Sequence, residues 1–360
     1  MKILATLQFI LCSLLALPTQ AQPAAQSAAP RYEVDRAWPK PLPDKWVIGG
    51  LGGLCVDAQD HVFLLNRQDV SEGDLNAGRL APPILEFDTE GNLVNSWGDP
   101  KLLDARLHSC HVDQDNNLWI ASAPSGMLQK YTHDGSKLLL QVGKKGVFDS
   151  SDGTAKGKPL NSNASVFYMP SSIFADPQNG DVYVSDGEGA GGDRRILVMN
   201  ARGEFLRQWQ PEGMETVHCM AVANDGMVYV CNRDGGRLQV YDKQGNFKKN
   251  IDIPWAPVTL AADGKRKQSG GAAVSLDLSR DPAQRWMYLI NQNNARVEII
   301  ERESGKIVSS FGRAGHFPGD FEQPHGIGVD SKGNVYVTEN RGHRAQKFSP
   351  APSPAAPKTR

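Results

Sequence analysis

The sequence predicts an all-β fold: a six-bladed β-propeller whose ring is closed by an N-terminal strand in the last blade. Three observations carry this. The 360-residue chain aligns with itself six times, each copy reading strand, tight turn, strand, loop, strand, Gly turn, strand. Its 36 Gly and 23 Pro suit many short strands and turns rather than long helices. The sixth copy stops at AQKFSP, one strand short, while YEVDRAW at 32–38 is a spare strand-like run that supplies the missing one.

The blades follow in order. First and second strands with their turn read GLCVDAQDHVFLLNR (53–67), HSCHVDQDNNLWIAS (108–122), SSIFADPQNGDVYVSDG (171–187), HCMAVANDGMVYVCNR (218–233), AVSLDLSRDPAQRWMYLINQ (273–292) and HGIGVDSKGNVYVTEN (325–340). Five second halves follow, from ILEFDTEGNLVNSWG (84–98) to RVEIIERESGKIVSSFG (296–312). Hairpin turns such as Glu90-Gly91-Asn92, Asp134-Gly135 and Gln244-Gly245-Asn246 supply the positive φ that tight connections need. A four-stranded meander cannot bury both faces alone, so neighbours stack in a ring. A β-sandwich would not require six copies in one register.

The chain ends are read separately. Lys2, an apolar run over 3–17 and small residues at Thr19 and Ala21 have the organisation of a cleaved signal peptide, residues 1–21. Cys12 lies in that apolar run, without the small residues a lipid-attachment site needs. Residues 22–30 and 350–360 are Pro/Ala-rich and are expected to be a disordered linker and tail around a propeller spanning 31–349. The mature chain is expected to be exported, periplasmic or secreted, and monomeric. A net charge of −1 excludes the basic footprint of a nucleic-acid binder. No apolar run reaches the ~20 residues of a membrane span. Cys55, Cys110, Cys219 and Cys231 lie in apolar strands without CxxC spacing and are expected to be buried free thiols.

The histidines carry the chemical signal. First strands line a propeller's channel, and the residues that open them in blades two, four and six are His108, His218 and His325. They stand 110 and 107 residues apart, about two blades each. Blades one, three and five carry Gly52-Gly53, Ser171 and Ala272-Ala273 there. Alternate blades of a six-fold ring are related by a three-fold axis, so three imidazoles converge on the channel. Three imidazoles with one open position suit a catalytic zinc ion, although copper, iron and nickel also accept them. The remaining histidines read otherwise: His61 and His133 in turns, His111 facing away from His108, His343 in a loop, and His316 ahead of blade six. Arg67 and Arg233 end the second strands of blades one and four, where a guanidinium can hold a carboxylate bidentately.

The six copies resemble NHL repeats. The three histidines with Arg67 (LLNR) and Arg233 (NRDGGR) resemble the peptidyl-α-hydroxyglycine α-amidating lyase family over nearly the whole mature chain. The resemblance implies a six-bladed propeller holding zinc through His108, His218 and His325, with Arg67 and Arg233 on the substrate. Two departures stand out. The family's catalytic tyrosine follows Ser-Asp-Gly in blade three; here Ser185-Asp186-Gly187 is followed by Glu188 and a longer glycine-rich loop. The family's calcium-ligating aspartate after the third histidine is Gly326 here, which argues against a structural Ca²⁺.

The implied function is a zinc-dependent lyase cleaving the C–N bond of peptidyl-α-hydroxyglycine carbinolamides to an amide and glyoxylate; Glu188 is the candidate base, its alternative being a solvated loop carboxylate. The substrate is a small molecule or peptide. Two other readings stand beside it: a non-catalytic NHL propeller binding a protein or glycan through its loops, and a metal-dependent propeller enzyme with a different substrate. A calcium-centred propeller lactonase would want channel carboxylates where this chain has histidines.

Overall fold

The computed structural model describes residues 29–104, 106–189, 192–255, 259–260, 266–267 and 271–352. The signal peptide expected over 1–21 and most of the expected linker and tail lie outside the described residues.

Six four-stranded antiparallel sheets form the blades. Blade one comprises Leu51–Val56, Val62–Asn66, Ile84–Phe87 and Leu93–Trp97. Blade two comprises Ser109–Val112, Asn117–Ser122, Met127–Thr132 and Leu138–Val142. Blade three comprises Pro170–Ala175, Val182–Asp186, Arg195–Met199 and Phe205–Trp209. Blade four comprises Val217–Val222, Met227–Asn232, Arg237–Asp242 and Phe247–Asp252. Blade five comprises Ser275–Leu278, Trp286–Asn291, Arg296–Glu301 and Lys306–Phe311.

Blade six joins Pro324–Val329, Val335–Glu339 and Arg344–Pro350 to the N-terminal strand Tyr32–Asp35. Tyr32 pairs with Pro350 and Asp35 with Lys347, so the first strand of the chain covers the edge that the truncated sixth repeat leaves open. The Tyr32 hydroxyl donates to the Tyr288 hydroxyl at 2.7 Å, tying the closing strand to blade five as well.

The apolar core is divided among the blade interfaces. Among the described residues, six clusters of buried side chains occur, one between each pair of neighbouring blades. The cluster between blades six and one sets Leu51, Leu54 and Leu64 against Tyr336 and Ala345, with Trp38 over them. Six interfaces for six blades make a closed ring.

Turns and tryptophans lock successive blades. In blade two's last hairpin Gly135 has φ 72°, and a Cβ there would lie 2.0 Å from the indole of Trp97 in blade one. Only glycine meets both conditions.

The cysteines depart from the expectation of free thiols. All four are buried, but Cys55 pairs with Cys110 and Cys219 with Cys231. Cys55 and Cys110 lie one blade apart on neighbouring first strands, with Cα atoms 5.6 Å apart, inside the 4.4–6.8 Å range of a bridge. Their partnership exists only once the blades have stacked, which is why spacing along the chain does not reveal it. Among the described residues no helix is long and apolar enough to cross a membrane.

Candidate metal centre

The three sequence-singled histidines meet at the channel. His218 and His325 are second residues of their first strands, and His108 immediately precedes Ser109–Val112. In blades four and six the strand pairing shifts register right at the histidine, between Val217 and Met220 and between Pro324 and Gly326. Such irregularities re-aim a side chain out of the pleat. The ring centroids stand 4.9, 4.9 and 5.2 Å apart, and one nitrogen from each ring lies within 4.8 Å of the other two.

Each imidazole is oriented by the blade that follows it. His108 Nδ1–H donates to Ser171 O at 2.6 Å, His218 Nδ1–H to Val274 O at 2.6 Å, and His325 Nδ1–H to Gly52 O. A carbonyl can only accept, so Nδ1 carries the proton, and in the neutral ring the Nε2 lone pair is left free. That is the carbonyl-supported arrangement of metal-ligating histidines. Burial pushes His108 down to about 3, and burial together with the Arg67 guanidinium holds His325 well below the usual imidazole range. Both are therefore neutral at pH 7, the ligating state. The buried His108 Nε2 has no hydrogen-bond partner among the described residues. The donor set, its tautomers and this orphaned nitrogen fit a divalent metal ion.

Glu188 reaches the same point from blade three. Its Oε2 lies 3.0 Å from His218 Nε2 and 3.6 Å from His108 Nε2. Arg233 Nη1 donates to Glu188 Oε1 at 3.0 Å, while the buried Oε2 has no hydrogen-bond partner among the described residues. The backbone here is fully specified. Asp186 accepts from the amides of Tyr168 and Met169, and Met169 O accepts from those of Gly187 and Glu188. Gly187 has φ 147°, and a Cβ there would lie 1.8 Å from Asp193 O. Ala190 and Gly191 of the long loop lie outside the described residues.

The two arginines differ. Arg233 is spent on the chain's own carboxylates, Glu188 and Asp234. Arg67 is buried, its Nε has no partner among the described residues, and burial with nearby Arg106 lowers it to about 10. An unpartnered buried guanidinium is a binding group for an anion or carbonyl. A channel of about 690 Å³ runs along the first strands and touches all three imidazoles, yet its lining does not include Arg67, Glu188 or Arg233. The imidazole ring thus has the channel on one face and the charged side chains on the other.

The other histidines stay apart. His111 packs on Phe174, His316 is exposed beside Glu322, and His343 is exposed. His61 pairs with Glu86 at 2.7 Å and His133 with Asp57 at 2.8 Å. The Asp57, His61 and Glu86 donors cluster closely enough to resemble a second metal site. However, His133 crosses from blade two to Asp57 of blade one just as Lys243 crosses from blade four to Asp176 of blade three, so this cluster is an inter-blade tether. Gly326, at the position of the family's calcium ligand, packs against blade one: a Cβ would meet Thr338 Oγ1 at 2.6 Å and Gly53 Cα at 2.8 Å.

What sequence reasoning missed is the backbone half of the site, namely the carbonyls of Gly52, Ser171 and Val274. Their only trace was the small residues at the odd-numbered blade openings. Asp234, which holds Arg233, carried no signal.

Fold and repeat pattern make the chain a six-bladed β-propeller with an NHL repeat: the family model described as NHL repeat matches residues 321–348, within blade six. Its relatives are distant. The chain is 23% identical over 335 residues to human NHL repeat-containing protein 3, covering 89% of this chain and 84% of that one. It is 22% identical over 310 residues to a probable peptidyl-alpha-hydroxyglycine alpha-amidating lyase of Caenorhabditis elegans, covering 81% and 80%. Among solved structures, a streptogramin B lyase superposes with a TM-score of 0.55 at 13% identity, covering 89% and 98%, a likeness of fold.

Proposed function

We propose that this protein is an exported, zinc-dependent lyase acting on α-hydroxyglycine-type carbinolamides. The observation that carries the reading is the convergence of three buried imidazoles, each with Nδ1–H fixed on a carbonyl, beside a buried Arg67 whose Nε has no hydrogen-bond partner among the described residues. His108, His218 and His325 would hold the ion. Zinc supplies Lewis-acid polarisation of the substrate's α-hydroxyl.

The chain's own residues do the rest. Arg67 binds the substrate carboxylate, a group that every α-hydroxyglycine carries. Arg233 fixes one oxygen of Glu188 and leaves the other facing the imidazoles. Glu188 accepts the hydroxyl proton; the C–O bond becomes a carbonyl, the C–N bond breaks, and the nitrogen takes a proton. The products are an amide and glyoxylate. Glu188 thereby stands where the lyase family has a phenol.

A model α-hydroxyglycine peptide tests this. Wild-type protein should release glyoxylate, and Glu188→Gln should release ~10²–10⁴-fold less, the usual worth of a positioned proton acceptor. No glyoxylate from zinc-loaded wild type would refute the lyase reading. Resemblance to human NHL repeat-containing protein 3 also fits a second reading, in which the ring is a non-catalytic binding scaffold. It predicts that His108→Ala leaves function intact.

A further inference from the structure

The position of Glu188 goes further than a base in waiting. We propose that Glu188 is the fourth protein ligand of the resting metal centre, bound through Oε2, so that the site is three histidines and one carboxylate rather than three histidines and an open position. This rests on the three-histidine reading above.

The distances support it. Four ligands at ~2.0–2.1 Å around a tetrahedral ion stand about 3.3 Å from one another. Glu188 Oε2 is 3.0 Å from His218 Nε2 and 3.6 Å from His108 Nε2, bracketing that edge for two of the three imidazoles. The two carboxylate oxygens are also unequal. Oε1 is held by Arg233 at 3.0 Å; Oε2 is buried and accepts no hydrogen bond among the described residues. His108 Nε2 is likewise buried without a hydrogen-bond partner. This oxygen and this nitrogen lie 3.6 Å apart, each with a lone pair and both placed to ligate one cation. Arg233 then fixes Glu188 as a monodentate ligand.

The backbone holds this placement. Gly187 and Glu188 amides both donate to Met169 O, and Gly187 admits no side chain against Asp193 O. Two consequences follow. A hard oxygen donor and its negative charge widen the metals accepted towards manganese and iron, compared with three imidazoles alone. A substrate hydroxyl must also displace Oε2 to reach the ion, which leaves the freed carboxylate beside the proton it removes.

The test reads metal binding, not turnover. Zinc affinity of the full mature protein is measured by competition with a chromophoric chelator, and the Co²⁺-loaded protein is examined by visible absorption. Loss of an outer-shell group costs about 10–100-fold in affinity. A lost ligand should cost more, so Glu188→Gln is expected to weaken zinc at least ~100-fold and to change the Co²⁺ bands. Glu188→Ala should recover the wild-type bands when acetate is added. Should the Gln variant fold poorly, Glu188→Asp gives the same readout, with weakened zinc and shifted bands. Wild-type affinity and bands in these variants, with binding lost in His108→Ala, would overturn the fourth ligand alone. A wild-type protein that binds neither Zn²⁺ nor Co²⁺ would overturn the three-histidine reading and this proposal together.

Discussion

At the scale of single residues, the three histidines and the two arginines were legible for different reasons. His108, His218 and His325 could be found from register alone, because a propeller forces the openings of its first strands onto one axis. Arg67 and Arg233 end matching second strands, a place suited to holding a carboxylate, and the resemblance ties them to the substrate. The structure then separates them: Arg233 is neutralised by Glu188 and Asp234, and the buried Arg67 Nε has no hydrogen-bond partner among the described residues. Arg67→Ala should therefore lower kcat/KM for a carboxylate-bearing substrate by about 10–100-fold, the worth of one or two hydrogen bonds to a charged group. The loss should be much smaller for the substrate's carboxamide analogue. An equal loss on both would place Arg67 away from the carboxylate. Partners made of backbone, such as Ser171 O under His108, have no residue type to announce them, so no reading of side chains finds them.

Strands and turns were legible because alternation and turn chemistry are local, whereas the partnerships between elements were not. The Cys55–Cys110 bridge needs two neighbouring blades in register, and the chain separation of 55 residues conceals it. Replacing Cys110 by Ser should cost about 2–4 kcal/mol of stability in denaturant unfolding; an unchanged midpoint would mean the bridge is absent in solution.

The Glu188 loop rests on another hidden partnership. Fully buried Arg195 sits 2.9 Å from Asp186, 3.2 Å from Asp149 and 3.4 Å from Asp193. Burial, with Asp186 and Asp149 beside it and Arg195 opposing, pushes Asp193 up to about 8. Asp193 thus keeps its proton in the folded chain at pH values where the unfolded chain has lost it. The folded state binds the extra proton, so this group's contribution to stability falls as pH rises from the ordinary carboxylate range to about 8. Asp193→Asn should flatten that fall: the Tm difference between pH 5.5 and pH 8 should be smaller in the variant. A matching difference in the two proteins would mean that Asp193 is ionised in the fold.

At the scale of the whole molecule, closure is the decisive property. Ring closure was legible because a missing strand and a spare one stood at opposite ends of the same sequence. Deleting residues 29–36 strips Arg344–Pro350 of its partner and exposes a sheet edge. The truncated chain should melt at lower temperature and self-associate on size exclusion; an unaltered melt and elution volume would show that Tyr32–Asp35 does not close the ring. Closure also matters to the site, since its three imidazoles come from blades two, four and six and meet only in a complete ring. The most direct measurement is elemental analysis of the purified mature protein beside the His108→Ala, His218→Ala and His325→Ala triple variant. One zinc ion per chain in the wild type and none in the variant is the expected result; zinc retained by the triple variant would place the metal elsewhere and contradict the three-histidine centre.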